Sequence, residues 1–323
     1  MHTEFEIFAD KFDFDHSDCE PVATLFGNRA MRVPRANLFV KSSPVSPEKF
    51  FKQRAVASWL QLNEIPATRL AAGFSEDAMV VCDRQVAVWE DAGRERGSDW
   101  WKSPQKARER HYSITEVLSR LHQLNARDIS LPLWDPLARC LEKLNRIRSG
   151  EIDPAARELL TVRSIEQRNQ LAGWRDKFTV AVHADAHADN FINGLIMCDF
   201  DTFAIGPAEA DLAYSLMVDR RGGALTKGLA AFALGAYPKS LRVDKELLEL
   251  CADIHETRML CGLAELAPRH RVVEKEFYAA LGSVVDRESP RIWKSPQQLA
   301  ELIARDVLDL QLSGSQFSGG ALI

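Results

Sequence analysis

The sequence predicts an α+β chain in two lobes: a small, mostly antiparallel sheet lobe over about residues 1–91 and a largely helical lobe over about 92–323. Three observations predict it. Short β-leaning runs separated by turn residues fill the first ninety positions, around one stretch with helical spacing. A connector rich in Gly and charge follows, "WEDAGRERGSDWWKSP". Beyond it, apolar residues recur at helical spacing through most of the chain.

In the first lobe "PVATLFG", "RAMRVPR" and "NLFVKSS" read as strands. "SPEKFFKQRAVASWLQLN" reads as a helix, with Ser46 as N-cap and Pro47 at its first position. Phe50, Val56, Trp59 and Leu60 give it a core face. "TRLAAGF", "AMVVCD" and "QVAVWED" return to strand character. In the second lobe "SITEVLSRLHQL" opens with Ser113 and Glu116 at capping-box spacing, and Ile114, Val117, Leu118, Leu121 and Leu124 form one stripe. His122 on that stretch reads as a packed structural residue. Further helices are expected in 136–147 and 155–175, then near 209–219, 223–236, 243–262, 274–285 and 296–310.

Composition narrows the function classes. Of 323 residues 46% are apolar and 27% charged, as in ordinary globular proteins. The net charge of −5 gives no basic field for nucleic acid, and it suits a cationic small molecule. Six dispersed cysteines without a CxxC pair read as reduced core thiols of a cytoplasmic protein. The acidic N-terminus lacks the basic and apolar regions of a signal peptide. No apolar run approaches the ~18 residues of a membrane span.

The chemistry is concentrated in "VAVHADAHADNFINGLIMCDFD". An apolar run ends in polar residues, and Asn193-Gly194 is the preferred two-residue hairpin turn. The hairpin brings its two ends together, so Asn190 and Asp199 become spatial neighbours, with Asp185 just ahead of them. Two oxygen ligands beside a free carboxylate suit Mg²⁺, which completes its octahedron with water and phosphate oxygens. An Asp to place a hydroxyl, an Asn five residues on, and a later Asp form the pattern of phosphoryl transfer.

"HADAHADN" resembles the HxDxxxxN loop of the aminoglycoside phosphotransferase family, which has a protein-kinase-like fold. "CDFDTFAIGPAEADLA" is similar to that family's second signature. "LSRLHQL" resembles its helix before the catalytic loop, "LFVKSS" its lysine strand and "VAVWEDAG" its hinge. The resemblance implies ATP–Mg²⁺-dependent phosphorylation of a hydroxyl on an aminoglycoside, amino sugar or amino alcohol. It implies that Asp185 is the base or hydroxyl-orienting residue, that Asn190 and Asp199 hold metal, and that Lys41 meets the α- and β-phosphates. The backbone of Val88, Trp89, Glu90 and Asp91 would face adenine. His183 and Asp211 would brace the loop, and Asp201 would lie near a second metal or the substrate.

The chain departs from the family pattern in places. Gln53 stands where a helix glutamate should pair with Lys41, and Glu48 is the nearest other acid. Only Gly27 marks the phosphate-covering turn, and Ala184 replaces the usual glycine. Two other readings stay open: a nucleotide-binding pseudokinase, motivated by Gln53 and the thin glycine turn, and a zinc or dinuclear hydrolase built on His183, Asp185, His187 and Asp189. Trp100-Trp101 reads as packing against the helical lobe or lining a substrate cleft. Glu249, Asp253 and Glu256 share a helix face that is either solvated or holds a cationic substrate.

Overall fold

The computed structural model describes residues 4–22, 28–74, 79–93, 103–286, 293–294 and 298–303. A five-stranded antiparallel sheet is formed by β1 (Glu20–Val22), β2 (Arg29–Val33), β3 (Leu38–Pro44), β4 (Met79–Val81) and β5 (Arg84–Glu90), in the order β1-β2-β3-β5-β4. Helix α1 (Glu4–Lys11) precedes it and α2 (Pro47–Leu62) connects β3 to the β4–β5 pair. The helical lobe contains α3 (Pro104–Leu121), α4 (Pro136–Arg146), α5 (Pro154–Ala172), α6 (Glu209–Arg221), α7 (Leu229–Leu234), α8 (Lys245–Leu266) and α9 (Arg271–Val285). Between α5 and α6 lie two small ribbons, β6 (Val180–Val182) with β9 (Ala204–Gly206) and β7 (Phe191–Ile192) with β8 (Ile196–Met197).

The period-two alternation of the strands gives the sheet two buried faces. Met31, Val33, Val40, Val86 and Val88 pack beneath α1 through Phe8, which is fully buried. The opposite face presents Ala87 and Trp89 to a core shared by both lobes, which also takes in Phe50, Val56 and Leu60 of α2 and Ile114, Leu118, Phe191, Met197 and Phe200. The edge of Trp89 meets Phe200 at 5.7 Å between ring centres. Apolar contact thus runs directly beneath the polar segment. A third core fills the space among α4, α5, α8 and α9.

Several elements differ from the sequence expectation. Residues 68–74 form no strand. Ala71 donates to the Val88 carbonyl and Glu90 to the Arg69 carbonyl, and then Gly73 turns the chain away at φ +82°. The acidic N-terminus, which carried no expected element, folds as α1 because Phe8 has an apolar sheet face to cover. Helix α3 starts at Pro104, capped by Ser103, so Ser113 lies inside it and caps nothing. The helix expected over 223–236 shrinks to a 3-10 turn and α7, because Gly223 and Gly228 take left-handed φ of +72° and +77°. The hairpin closes Ile192 on Ile196, so its loop has three residues, although Asn193 and Gly194 do adopt the positive φ their types favour. Gly27, Trp100-Trp101 and most of 296–310 lie outside the described residues. Among those described, no helix is long and apolar enough to cross a membrane.

The α1 contact is a stability element that the fold makes testable. Phe8 sits against Phe12, Phe14 and Phe74 at 4.8–6.1 Å. Phe8→Ala is expected to cost about 3–5 kcal/mol of unfolding free energy, in line with large aromatic truncations. A urea midpoint unchanged from wild type would show that α1 is not part of the cooperative unit.

Candidate active site

The polar segment is held from below by one buried carboxylate. Asp211, in the first turn of α6, accepts the His183 amide at 2.8 Å on Oδ2 and the Ala184 amide at 2.7 Å on Oδ1. His122 Nε2 lies 3.1 Å from Oδ2, and its Nδ1 meets the Tyr237 hydroxyl at 2.9 Å. His122 is therefore the packed structural residue its context suggested. Ala184 is left-handed at φ +63°, a conformation that costs an alanine about 1–2 kcal/mol. The two hydrogen bonds from Asp211 hold it there. His183 is buried, gives its Nε2 edge to the Cys198 carbonyl at 2.8 Å and accepts from Thr202 Oγ1 through its own carbonyl.

Asp185 follows this strained peptide. Its Oδ1 accepts from the Tyr214 hydroxyl and, at 3.4 Å, from Arg258 Nη2. Burial opposes its charge, but His187, Arg258 and Tyr214 outweigh burial and hold its carboxyl well below the usual carboxylate range. Asn190 donates Nδ2 to the Asp185 carbonyl at 2.8 Å, which turns its amide oxygen the other way. The Cys198 amide donates to the Asn190 carbonyl at 2.9 Å, and this places Asp199 beside Asn190 as the hairpin pattern implied. Asp199 is itself left-handed, at φ +61°. It stands close enough to Asp185 for the two carboxylates to repel.

Lys41 reaches across from β3. Its Nζ lies 2.7 Å from Asp199 Oδ1. Burial disfavours the ammonium, yet Asp199 and Asp201 outweigh that cost and raise its pKa. Neither Gln53 nor Glu48 provides this ion pair: Glu48 is exposed, and Gln53 donates Nε2 to Asp201 Oδ1. The neighbouring Lys52 donates to the carbonyls of Asp201 and Phe203. Burial and Arg139 pull the Lys52 ammonium down to about 8, against the pull of Asp201. Helix α2 thus grips the segment after Asp199 directly, in place of gripping the strand lysine. Asp201 has a firm place in this structure as the acceptor of that grip.

The hinge stretch is largely committed within the fold. The Val88 carbonyl accepts from Ala71, and the Glu90 and Asp91 amides donate to Arg69 and Asn37. Trp89 turns its ring into the shared core. The acidic face of α8 is taken up by arginines of α6, with Glu249 exposed at one end and Glu256 buried at the other. Arg220 pairs with Glu249 and, at 2.9 Å, with Asp253, and Arg221 holds Glu256 with contacts of 2.9 and 3.1 Å. His187 stands 3.7 Å from Asp185 Oδ2 and 3.9 Å from Asp189 Oδ2. Among the described residues, no group of three His, Cys, Asp or Glu side chains could hold a metal ion, so the zinc arrangement has no ligand set there. The cysteines are free thiols, and burial pushes that of Cys198 up to about 12.

Lys52, Tyr214, His255 and Arg258 were not singled out from sequence. A signal for Arg258 existed. It is a lone arginine in a helix buried on most of its faces, and a buried guanidinium needs a carboxylate partner.

Two outcomes follow from this geometry. Gln53→Glu would set a second carboxylate against Asp201, so kcat is expected to fall about tenfold through like-charge repulsion at short range; an unchanged or raised kcat would place Gln53 against Lys41 instead. The second concerns pH. Burial, with Arg110 or Arg258 beside the ring, lowers His111 and His255 from 6.5 to about 3. Both are neutral when folded and gain a proton only on unfolding in that window. Their stability contribution is complete above about pH 6.5 and is lost as pH falls toward 3, by about 1.4 kcal/mol per pH unit for each histidine. Urea midpoints at pH 7.5 and 5.5 check this, and equal midpoints would contradict it.

The phosphotransferase enzyme family model matches residues 18–243. No curated protein sequence matches the chain. Among solved structures, aminoglycoside phosphotransferase APH(3'')-Id from Streptomyces rimosus is similar over 80% of this chain and 99% of its own, at 16% identity and TM-score 0.59. Amicoumacin kinase hAmiN, in complex with AMP-PNP, Ca²⁺ and Ami, is similar over 93% and 100%, at 16% identity and TM-score 0.63. Choline kinase LicA from Streptococcus pneumoniae is similar over 87% and 99%, at 12% identity and TM-score 0.59. These likenesses give the two-lobed, kinase-like fold. With the family model spanning the sheet, the polar segment and α6, the chain belongs to the phosphotransferase enzyme family.

Proposed function

We propose that this chain transfers the γ-phosphoryl group of ATP, bound with Mg²⁺, to a hydroxyl of an amino-bearing small molecule: an aminoglycoside, an amino sugar or an amino alcohol. The observation that carries the reading is the meeting of Asp185, Asn190, Asp199 and Lys41 in one cluster between the sheet and the helices. The amino-bearing acceptor rests on the similarity to structures of kinases for aminoglycosides, amicoumacin and choline.

The donor set fits the metal. Asn190 offers an amide oxygen and Asp199 a carboxylate, both hard oxygen ligands, and Asn190 keeps its nitrogen turned away on the Asp185 carbonyl. Mg²⁺ bound there supplies neutralisation of phosphate charge. In this reading Asp185 accepts a hydrogen bond from the acceptor hydroxyl and orients it in line with the phosphorus. Its depressed pKa makes it a weak base, so the proton leaves the hydroxyl late, once the bond to phosphorus has begun to form. Lys41 exchanges Asp199 for the nucleotide phosphates. The loose transition state spreads charge over the phosphoryl oxygens, and fixed cations there stabilise it. Val88, Trp89, Glu90 and Asp91 border the base, while the Glu90 and Asp91 amides stay on the Arg69 and Asn37 carbonyls.

A screen of amino sugars, aminoglycosides and amino alcohols for acceptor-dependent ADP release tests the activity. Asp185→Asn is expected to keep nucleotide binding and lower kcat by on the order of 10²-fold or more. Asp199→Ala is expected to lose metal-dependent nucleotide affinity and turnover together. Near-normal phosphorylation by Asp185→Asn would remove the residue from the mechanism.

A further inference from the structure

Asp185 has two chemically equal oxygens, yet its surroundings treat them differently. Oδ1 accepts from the Tyr214 hydroxyl and from Arg258 Nη2 at 3.4 Å. Among the described residues Oδ2 has only Asn190 Nδ2 at 3.5 Å and His187 Nε2 at 3.7 Å nearby, both at or past the limit of a hydrogen bond. Arg258 is fixed in turn from three sides. Its Nη1 shares two protons among the Ala184 carbonyl at 2.7 Å, the Tyr214 hydroxyl at 3.0 Å and His255 Nδ1 at 3.0 Å. His255 Nε2 meets the Ala210 carbonyl at 2.6 Å. That edge must therefore carry the proton, and Nδ1 is the bare acceptor that a guanidinium requires. The Tyr214 ring stacks on His255 with centres 4.0 Å apart. The Tyr214 hydroxyl has one proton, which goes to Asp185, because Arg258 has no lone pair to receive it.

We propose that Tyr214 and Arg258 are positioning residues for the phosphoryl transfer. Together they occupy Oδ1 of Asp185, and so present Oδ2 alone to the acceptor hydroxyl. This rests on the role given to Asp185 above. The carboxylate would otherwise swing about its terminal bond and offer either oxygen. An in-line attack needs the hydroxyl oxygen held within a narrow distance and angle, and a fixed acceptor oxygen supplies that. Arg258 acts on the backbone as well. It holds the Ala184 carbonyl while Asp211 holds the Ala184 amide, so the left-handed peptide before Asp185 is gripped at both ends. The same arginine therefore sets where Asp185 starts and which way its side chain points. A guanidinium reaches all of these groups with its planar fork, and an ammonium cannot.

The test is ADP release from Mg–ATP with water as the acceptor, or with the acceptor the screen identifies. It compares wild type, Tyr214→Phe, Arg258→Lys, Asp185→Asn and the double variant Tyr214→Phe/Asp185→Asn. Tyr214→Phe keeps the ring stacked on His255 and removes only the hydroxyl. Its kcat is expected to fall about tenfold with KM for ATP within about twofold, because the loss is confined to the transition state. Arg258→Lys keeps the charge and loses the fork, and a drop of about 10²-fold in kcat is expected. On the Asp185→Asn background, Tyr214→Phe is expected to change the residual rate by less than about twofold, because the residues act as one unit. An equal-fold loss on both backgrounds would make Tyr214 a structural residue and overturn the proposal. So would a Tyr214→Phe kcat equal to wild type while Asp185→Asn is impaired. If Asp185→Asn is itself unimpaired, the reading of Asp185 fails and takes the proposal with it. Thermal unfolding of each variant separates loss of fold from loss of rate.

Discussion

The buried carboxylate of Asp211 is the constraint on which the site depends. A carboxylate taken out of water is tolerated only when its lone pairs are filled. Here they are filled by two successive backbone amides of the loop before Asp185 and by an imidazole from the residue just past α3. The requirement acts both ways. The loop satisfies Asp211, and Asp211 holds Ala184 in a conformation an alanine does not favour. From that fixed peptide Asp185 projects into the cleft, and the Asp185 carbonyl in turn receives the Asn190 amide group. One charge at the start of α6 thereby orders Asp185 and Asn190, five residues apart, and ties their loop to the end of α3.

The lobes are joined by two kinds of contact with different consequences. The shared apolar core under Trp89 and Phe200 resists separation without specifying any angle. The polar contacts specify the angle: Lys41 on Asp199, and Lys52 and Gln53 on the segment at Asp201–Phe203. Where other kinases couple a helix to the strand lysine through a glutamate, this chain couples α2 straight to the segment that follows Asp199. Lys41 pairs directly with Asp199, the partner that the proposed function has it exchange for phosphate. The absent glutamate is therefore a change in wiring, and it leaves Lys41 within the cluster.

Much of this was legible in the sequence. The spacing of Asp185, Asn190 and Asp199 and the Asn193-Gly194 turn are local signals, and local signals survive folding. The two-lobe division followed from the change of hydrophobic period near residue 91. What failed depended on distant partners. Residues 68–74 have strand composition, but only two of their amides find a strand neighbour before Gly73. The Ser113–Glu116 spacing mimicked a cap within a helix that Ser103 already caps. The family pattern puts Gln53 opposite Lys41, yet the turn of α2 points it at Asp201. Tyr214 and Arg258 lie in apolar helical contexts, and their roles exist only because α6 and α8 pack side by side beneath the loop.

The central claim is that Asn190, Asp199, Lys41 and Asp185 form one nucleotide–metal–acceptor site. The most direct measurement is a crystal structure of the full chain with Mg²⁺ and AMP-PNP. The account predicts a metal about 2.0–2.1 Å from Asn190 Oδ1 and an Asp199 oxygen, Lys41 Nζ moved from Asp199 onto a phosphate oxygen, and Asp185 Oδ2 open toward the γ-phosphoryl group. A complex in which nucleotide and metal bind while touching neither Asn190 nor Asp199, with the Lys41–Asp199 pair intact, would contradict it.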